Sequence, residues 1–415
     1  MEHTFPTPGN AEENELIQLL LKRQAELNSL LEITQAINKN NDASVLFEML
    51  EVILKVHLKI GTMRLMVREE DHFFCASRFG GKAESARTLQ HLCHQLGGYS
   101  DITALKNDPD PEVREYDYFV PVFHKTDMLA FVLIGDFNTR EELVSNDLNF
   151  VQTLINVIVV ALENKKLFRE VVNRERLQRD IELASEVQNM LFPKVMPRGG
   201  SVEAAATYLP SQNIGGDYFD FIELGPDEFL WCIADASGKG VSAALIMANL
   251  QASLRAWTSV ETDLAKVTTN LNKVLFENTN GERFITLFIG RYNKKTRELQ
   301  YVNAGHNAPI LAVNGSFEFL LKGTTIIGAF DELPFINVGS QVLPPGSLLF
   351  NYTDGLVESS DEDIYIDDQE LAVLLLQKAH LPVEELNRDM LGSIQHLYNA
   401  RMNTDDVTIL SLRIF

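Results

Sequence analysis

Four aspartates in the second half of the chain stand where apolar, strand-like segments meet tight turns. Asp235 ends the run FLWCIAD, Asp354 ends SLLFNYTD, and Asp405 directly precedes the strand-like DVTILSLRIF. Asp217 follows a pair of glycines. Each aspartate alone is ordinarily a turn residue, because Asp and Gly are common turn formers. Together they predict carboxylates that converge at one end of a sheet.

Converging carboxylates without an accompanying set of Cys and His ligands favour hard divalent cations such as Mg²⁺ or Mn²⁺. Two such cations held about 3.5–4 Å apart activate a water molecule near neutral pH and clamp a phosphoryl group for in-line attack. The four aspartates therefore favour a hard-cation site at which such two-metal chemistry is possible.

Length and charge limit the other possibilities. With 415 residues, 45% of them hydrophobic, the chain is long enough for two domains with their own cores. A formal net charge of −22 argues against binding to nucleic acid or to an anionic membrane surface. The apolar run at residues 157–162 is far shorter than the ~18–20 residues that span a bilayer. With no visible signal peptide, we expect a cytoplasmic protein with reduced Cys75, Cys93 and Cys232.

The first half reads as a helix, then strands and a helical stretch, then a final helix for which Ser145 is the candidate N-cap. Within it, YDYFVPVFHK and MLAFVLIGDF predict two strands joined at Thr126 and Asp127. This order predicts an α+β domain with a central antiparallel sheet. The layout resembles a GAF domain, which implies a sensor for a small molecule or a protein.

A long segment without glycine or proline connects the two halves. Leu177, Ile181, Ala184, Val187 and Leu191 follow spacings of 4, 3, 3 and 4, with charged residues between them. Such a stripe suits a coiled coil with a second copy of the chain, and hence a homodimer. A single helix lying on its own domain is the alternative that periodicity leaves open.

Five ordered motifs in the second half resemble those of the bacterial sporulation- and stress-response type of PPM (type 2C) Ser/Thr protein phosphatase. They are GGDYFD, DASGKGVSAALIM, FITLFIGRYNKKTRELQYVNAGHNAPIL, NYTDGLVES and DDVTIL. The resemblance implies an α-β-β-α sandwich of two antiparallel sheets with helices outside. It also implies a phosphoserine or phosphothreonine protein as substrate, of the kind called an anti-sigma-factor antagonist.

Carried over by position, the resemblance implies that Asp217, Asp235, Asp354 and Asp405 hold two Mn²⁺ or Mg²⁺ ions, with the backbone carbonyl of Ala236 as a further ligand. These four aspartates are the expected catalytic residues. Asp220 and Asp406 are acidic neighbours that either tune the site through hydrogen bonds or face solvent.

We therefore expect an N-terminal helix at residues 1–26 and a GAF-like sensor domain at 27–160. A helical linker at 161–192 and a PPM-type phosphatase domain at 193–415 would follow.

The chain departs from eukaryotic members of this superfamily at two positions. Ser237 stands where they have a His proposed as general acid, and no Arg precedes the first metal aspartate. Leaving-group protonation and phosphate binding must therefore rely on other groups. His306 in NAGHNAP could act as a base, although a loop-stabilising role is favoured.

Three other interpretations compete with the phosphatase. The GGD turn is similar to the GGDEF signature of diguanylate cyclases, but the segment before it is too short for the upstream strand and helix of such an enzyme. GKGVSA fits a dinucleotide fingerprint, yet the second strand of a βαβ unit does not follow about 20 residues on. A non-enzymatic phosphatase-fold scaffold remains the alternative function, against which the full set of aspartates argues.

Overall fold

The structure is a computed structural model that describes residues 8–69, 72–82, 85–138, 140–358, 366–397 and 405–415. By their contacts, the residues up to Arg174 form one compact unit and those from Glu175 onward form a second. The domain boundaries expected from the sequence stay predictions.

The first unit is built around a five-stranded antiparallel sheet with the strand order β2-β1-β5-β4-β3. Its strands β4 and β5 form the predicted strand pair, which is thereby confirmed, although the turn lies at Lys125 and Thr126, one residue before the predicted Thr126 and Asp127. The elements are α1 (Pro8–Asn38), α2 (Ala43–Val56), β1 (Ile60–Glu69), β2 (His72–Phe79), α3 (Ala86–Leu96), β3 (Thr103–Ala104), β4 (Tyr118–His124), β5 (Asp127–Phe137) and α4 (Glu141–Asn189).

Helices cover both faces of this sheet. Residues of α1, α2 and α4, among them Ile33, Leu54 and Ile155, share one buried core with the sheet. On the other face, Leu92 of α3 packs in a second core with Phe131. The predicted α+β class with a central antiparallel sheet is confirmed, and the assignment as a GAF domain stays a prediction.

Helix α4 begins earlier than expected. The prediction that Ser145 caps its N-terminus is wrong, because the helix already begins at Glu141. The good helix formers Glu and Leu in residues 141–144 outweigh the capping preference of the serine.

Helix α4 also contains, among the described residues, the one segment (Leu143–Asn189) that is long and apolar enough to cross a membrane, and 44% of its most apolar stretch is buried. Side chains of this segment, including Leu154 and Ile158, pack in the core of the first unit.

The second unit contains two sheets that pack face to face. The first has the order β13-β10-β9-β8-β7, with β14 also paired to β10, and the second has the order β12-β11-β15-β16-β6. The elements are β6 (Val202–Leu209), β7 (Tyr218–Glu223), β8 (Glu228–Ala236), α5 (Val241–Thr258), α6 (Leu264–Thr279), β9 (Ile285–Asn293), β10 (Glu298–Ala304), β11 (Ile310–Val313), β12 (Ser316–Phe319), β13 (Gly323–Thr324), β14 (Gly339–Val342), β15 (Ser347–Tyr352), α7 (Asp368–Lys378), α8 (Val383–Leu397) and β16 (Val407–Ile414).

Three apolar cores hold this unit together. Between the sheets, Trp231 and Phe288 of the first sheet share a core with Leu349 and Leu410 of the second. Helices α5 and α6 cover the outer face of the first sheet, and α7 and α8 cover the outer face of the second. The predicted α-β-β-α sandwich is confirmed.

Strand order brings the motif residues to strand ends. β7 begins and β8 ends at one end of the first sheet, because Tyr218 pairs with Ala234. β15 ends and β16 begins at one end of the second sheet, because Tyr352 pairs with Ile409. All four predicted aspartates flank these strand ends.

Candidate active site

Asp217 joins the two sheets. It directly precedes β7 of the first sheet and is only 1% exposed. Its Oδ2 accepts hydrogen bonds from the hydroxyls of Thr353 (2.8 Å) and Thr408 (2.6 Å), which belong to the second-sheet side. Burial raises the pKa of the Asp217 carboxyl well above its usual range, the charge of Asp235 raises it further, and the two hydroxyls oppose the shift.

Neighbouring carboxylates also raise the pKa values of Asp235 and Asp354. Burial, followed by the charges of Asp354 and Asp405, raises the pKa of Asp235 to about 7. Burial and then the charge of Asp405 raise the pKa of Asp354. Since Asp235 also perturbs Asp217, the structure brings all four side chains into one electrostatic cluster.

This cluster has the chemistry of a cation site. Burial and repulsion between the ionised carboxylates raise these pKa values, and a nearby cation would offset both effects. Within the part of the chain that the structure describes, no three His, Cys, Asp or Glu side chains are placed to hold one ion together. The donors instead fit ions that take one or two carboxylates each and keep several waters, as Mg²⁺ does.

Both residues of the Gly-Gly pair must be glycine because neighbouring groups of the site lie too close for a side chain. A Cβ atom on Gly215 would lie 2.2 Å from Oδ2 of Asp406, and one on Gly216 would lie 2.8 Å from the carbonyl oxygen of Ala236. The turn therefore lies directly against two groups of the site, and any side chain there would displace them. This also places the Ala236 carbonyl, a predicted metal ligand, next to the Gly-Gly-Asp turn.

Asp406 supports this turn rather than facing solvent. It is buried, and its Oδ2 accepts a hydrogen bond from the backbone N–H of Gly216 (2.6 Å). Its Oδ1 accepts from the backbone N–H (2.8 Å) and the hydroxyl (3.1 Å) of Ser211. Of the two roles that the sequence leaves open for Asp406, the structure selects the hydrogen-bonding one.

Asp220 has a different role. It is fully buried and accepts two hydrogen bonds of 2.8 Å from the guanidinium of Arg255 on α5, together with one from the Tyr218 hydroxyl. Asp220 thus ties β7 to α5 and does not face solvent.

One cation lies beside the acidic cluster. The Nζ of Lys239, in the turn after β8, is 3.0 Å from Oδ2 of Asp405, and its side chain is 51% exposed. The positive charge of Lys239 lowers the pKa of Asp235 and of Asp354, although burial and neighbouring carboxylates outweigh it at both.

Ser237, which stands in place of the His proposed as general acid, and His306, the possible base, both have hydrogen-bond partners. The hydroxyl of Ser237 accepts a hydrogen bond from the backbone N–H of Phe284 (2.9 Å). His306 is buried, its Nδ1 lies 2.9 Å from the Thr286 hydroxyl, and burial lowers its pKa to about 4. His306 is therefore neutral near pH 7 and stabilises its loop, which is the role favoured from the sequence.

Sequence reasoning missed four residues that contact the site or its turn. They are Gln188, Lys239, Thr353 and Thr408. The threonines had a signal, because both lie within two residues of a predicted aspartate or its acidic neighbour in TDG and DDVT. The lysine lies in the segment that resembles a nucleotide-binding motif, which draws attention to its glycines instead.

The chain is similar to known phosphatases. Residues 225–415 match the family model of Stage II sporulation protein E (SpoIIE). Phosphoserine phosphatase RsbU of Bacillus subtilis (strain 168) is 24% identical over 295 residues, which cover 70% of this chain and 80% of RsbU. Phosphoserine phosphatase RsbP of the same organism is 27% identical over 235 residues, which cover 55% of this chain and 56% of RsbP.

A solved structure supports the fold. The SiaA-PP2C domain of Pseudomonas aeruginosa is 20% identical, with a TM-score of 0.53, and the match covers 59% of this chain and 99% of that domain. The chain therefore carries a SpoIIE-type PPM phosphatase domain homologous to those of RsbU and RsbP, and it is a protein phosphatase.

Proposed function

We propose that this phosphatase uses two Mn²⁺ or Mg²⁺ ions to remove phosphate from serine or threonine of a partner protein. Asp217, Asp235, Asp354 and Asp405 would hold the ions, together with the carbonyl oxygen of Ala236. The observation that carries this proposal is that burial and the charges of aspartates from distant parts of the chain together raise the pKa values of Asp217, Asp235 and Asp354. Such a cluster is unfavourable by itself and favourable around divalent cations.

Bound ions would supply an activated water molecule and would neutralise charge on the phosphoryl group. The chain's own residues orient the ligands for this task. Thr353 and Thr408 both donate to Oδ2 of Asp217, so Oδ1 is the oxygen that we assign to a cation. Asp406 holds the Gly-Gly turn from which Asp217 projects.

Lys239 is the group that we assign to the substrate phosphate. The arginine that grips phosphate in eukaryotic relatives has no counterpart here, and Lys239 presents a half-exposed ammonium at the rim of the acidic cluster. The guanidinium of Arg283 packs against the same turn: a Cβ on Gly238 would be 2.9 Å from its Nη1. A cationic rim over an acidic metal site suits a doubly charged phosphate monoester.

We infer the phosphoprotein substrate from the family resemblance and the second copy of the chain from the exposed apolar side chains of α4. We assign a phosphorylated anti-sigma-factor antagonist type of protein as the substrate, in keeping with two relatives named phosphoserine phosphatases. Leu177 and Val187 of the predicted stripe are 63% and 59% exposed, which supports a helix from a second copy as their cover. We assign the first unit the role of a sensor that acts through α4 in a cytoplasmic homodimer.

The test is a pair of neutralising substitutions. In Mn²⁺, wild-type protein should hydrolyse p-nitrophenyl phosphate and a phosphoserine peptide, and Asp235→Asn and Asp354→Asn should each lose on the order of 100-fold or more in kcat. Asp227→Asn is the matched control, because Asp227 precedes β8 at the strand end opposite Asp235 and pairs with Lys295. Undiminished turnover in both site variants, or no turnover in wild type, would overturn the proposal.

A further inference from the structure

Two exposed side chains, those of Arg283 and Phe284, lie beside the candidate active site. They directly precede β9, and Phe284 is 40% exposed. The backbone N–H of Phe284 donates a hydrogen bond to the Ser237 hydroxyl (2.9 Å), and its carbonyl oxygen accepts one from the Ser237 N–H (2.9 Å). We call residues 283 and 284 the rim segment.

The rim segment lies close to the predicted metal ligands. Across β8 and β9, Asp235 is paired with Thr286, and Phe284 lies two residues before Thr286. Neighbouring strands are about 4.8 Å apart, and two residues of extended chain span about 7 Å. A phosphoserine bound at the metal site would therefore bring residues about two positions away from it against the rim segment.

The backbone of the rim segment is held on several sides. The Thr279 hydroxyl donates a hydrogen bond to the carbonyl oxygen of Arg283 (3.4 Å), and the next residue after Phe284, Ile285, exchanges two backbone hydrogen bonds with Ile327 (2.9 and 3.0 Å). A Cβ on Gly328 would lie 3.1 Å from the same Arg283 carbonyl oxygen. The two side chains are therefore presented from a fixed backbone, which lowers the entropic cost of binding a partner.

Both side chains have the chemistry of a protein-binding surface. Within the part of the chain that the structure describes, no carboxylate forms an ion pair with the guanidinium of Arg283, although the chain has a net charge of −22. Aromatic and arginine side chains are enriched at protein interfaces and supply much of their binding energy. Arg283 is thus complementary to a carboxylate of a partner, and the ring of Phe284 to an apolar side chain.

We propose that the rim segment docks the phosphoprotein substrate and selects its sequence. Arg283 pairs with an acidic side chain about two residues from the phosphoserine, and Phe284 packs against an apolar side chain next to it. This role rests on the proposed function, since the metal site must hold the phosphate. The occupant is the substrate itself, because a molecule bound here covers the approach to the aspartates. The rim segment thereby sets substrate specificity, whereas Lys239 acts on the phosphate that all substrates share.

The experiment compares kcat/KM for three phosphoserine peptides in MnCl₂. The first has Glu two residues and Leu three residues to each side of the phosphoserine. The second has Lys in place of Glu, and the third has Gly in place of Leu. Wild type should prefer the Glu peptide over the Lys peptide by about tenfold, and the Leu peptide over the Gly peptide by about fivefold.

Substitutions in the rim segment should change these preferences selectively. Arg283→Glu should reverse the charge preference, so that the Lys peptide becomes the better substrate, which a merely structural effect would not produce. Phe284→Ala should remove the preference for Leu and keep the preference for Glu. Arg388→Glu and Val373→Ala, at exposed positions of α8 and α7, are the matched controls and should keep both preferences.

Two results would overturn the role of the rim segment. One is a wild type that hydrolyses the three peptides equally well. The other is an Arg283→Glu variant that loses the same factor in kcat/KM for the Glu and Lys peptides, because Arg283 would then act on the phosphate alone. Arg283→Gln, in which the charge preference should disappear, replaces Arg283→Glu if that variant does not fold.

Failure of the proposed function gives a different result. If wild type hydrolysed no phosphate ester, the proposed function would fail, and fluorescence anisotropy of the labelled peptides would still test the rim segment. Tighter binding of the Glu peptide than of the Lys peptide, lost in Arg283→Gln, would support docking at Arg283. Equal binding of the two peptides by wild type would refute it.

Discussion

Asp235→Asn should make the protein more stable when divalent metal is withheld, even though it removes activity. The carboxyl of Asp235 lies among buried like charges that raise its pKa from 3.8 to about 7. A tenfold change in proton affinity corresponds to ~1.4 kcal/mol, so keeping this carboxyl ionised in the folded state costs up to about 4 kcal/mol above pH 7. Asparagine carries no charge and avoids that cost.

The raised pKa of Asp235 also determines how the stability difference between wild type and Asp235→Asn changes with pH. Below pH 3.8 the carboxyl of Asp235 is protonated in both the folded and the unfolded chain, so wild type and variant should differ little. Between pH 3.8 and about 7 only the unfolded chain releases the proton, and the relative stability of wild type falls. The gain of Asp235→Asn should therefore approach its full value at about pH 8.

The assay is urea unfolding in EDTA at about pH 8 and near pH 4, with Asp227→Asn as the control for loss of a surface carboxylate. The control should change the free energy of unfolding by less than about 0.5 kcal/mol. Adding MnCl₂ at the higher pH should stabilise wild type by mass action and the variant much less. If Asp235→Asn in EDTA were no more stable than wild type at the higher pH, or if its gain were the same at the lower pH, the electrostatic reasoning would be refuted.

Two further substitutions test neighbouring groups. Thr408→Val removes one hydroxyl donor from Asp217 and should weaken Mn²⁺ binding by about tenfold in calorimetry. Thr269→Val, at an exposed position of α6, is the control and should leave Mn²⁺ binding unchanged. Equal Mn²⁺ affinities in the two variants would contradict the orienting role of the Thr408 hydroxyl. Lys239→Met removes the charge that lowers the pKa of Asp235, so the acid limb of the rate profile should move to higher pH. It should also raise KM for a phosphoserine peptide, while Lys239→Arg should stay close to wild type; an unchanged profile and KM in Lys239→Met would exclude both effects.

Local sequence signals were sufficient to place the four aspartates at strand ends. Asp235 and Asp354 each end an apolar run long enough for a buried strand, and such runs bound by turn residues predict strands well. That these ends meet depends on strand order, which the sequence alone does not determine. The resemblance to a phosphatase family implies that the aspartates meet at one metal site, and the structure supplies the strand order that brings them together.

The supporting contacts could not be predicted because they join distant parts of the chain. The reason for the Gly-Gly pair is the close approach of Asp406, which lies 190 residues from Gly216. Gln188 lies in a helix rich in charged residues, where a glutamine is typical of a solvated face. Its burial depends on where the helix meets a turn 27 residues later. Hydrogen bonds of this kind follow from tertiary packing, which periodicity does not encode.

Anomalous diffraction from crystals grown with MnCl₂ is the most direct test of the central claim, that aspartates distant in sequence share a pair of divalent ions. Two manganese peaks about 3.5–4 Å apart, bordered by Asp217, Asp235, Asp354 and Asp405, are the predicted result. Manganese bound elsewhere, or no manganese at these carboxylates in crystals of active protein, would contradict it.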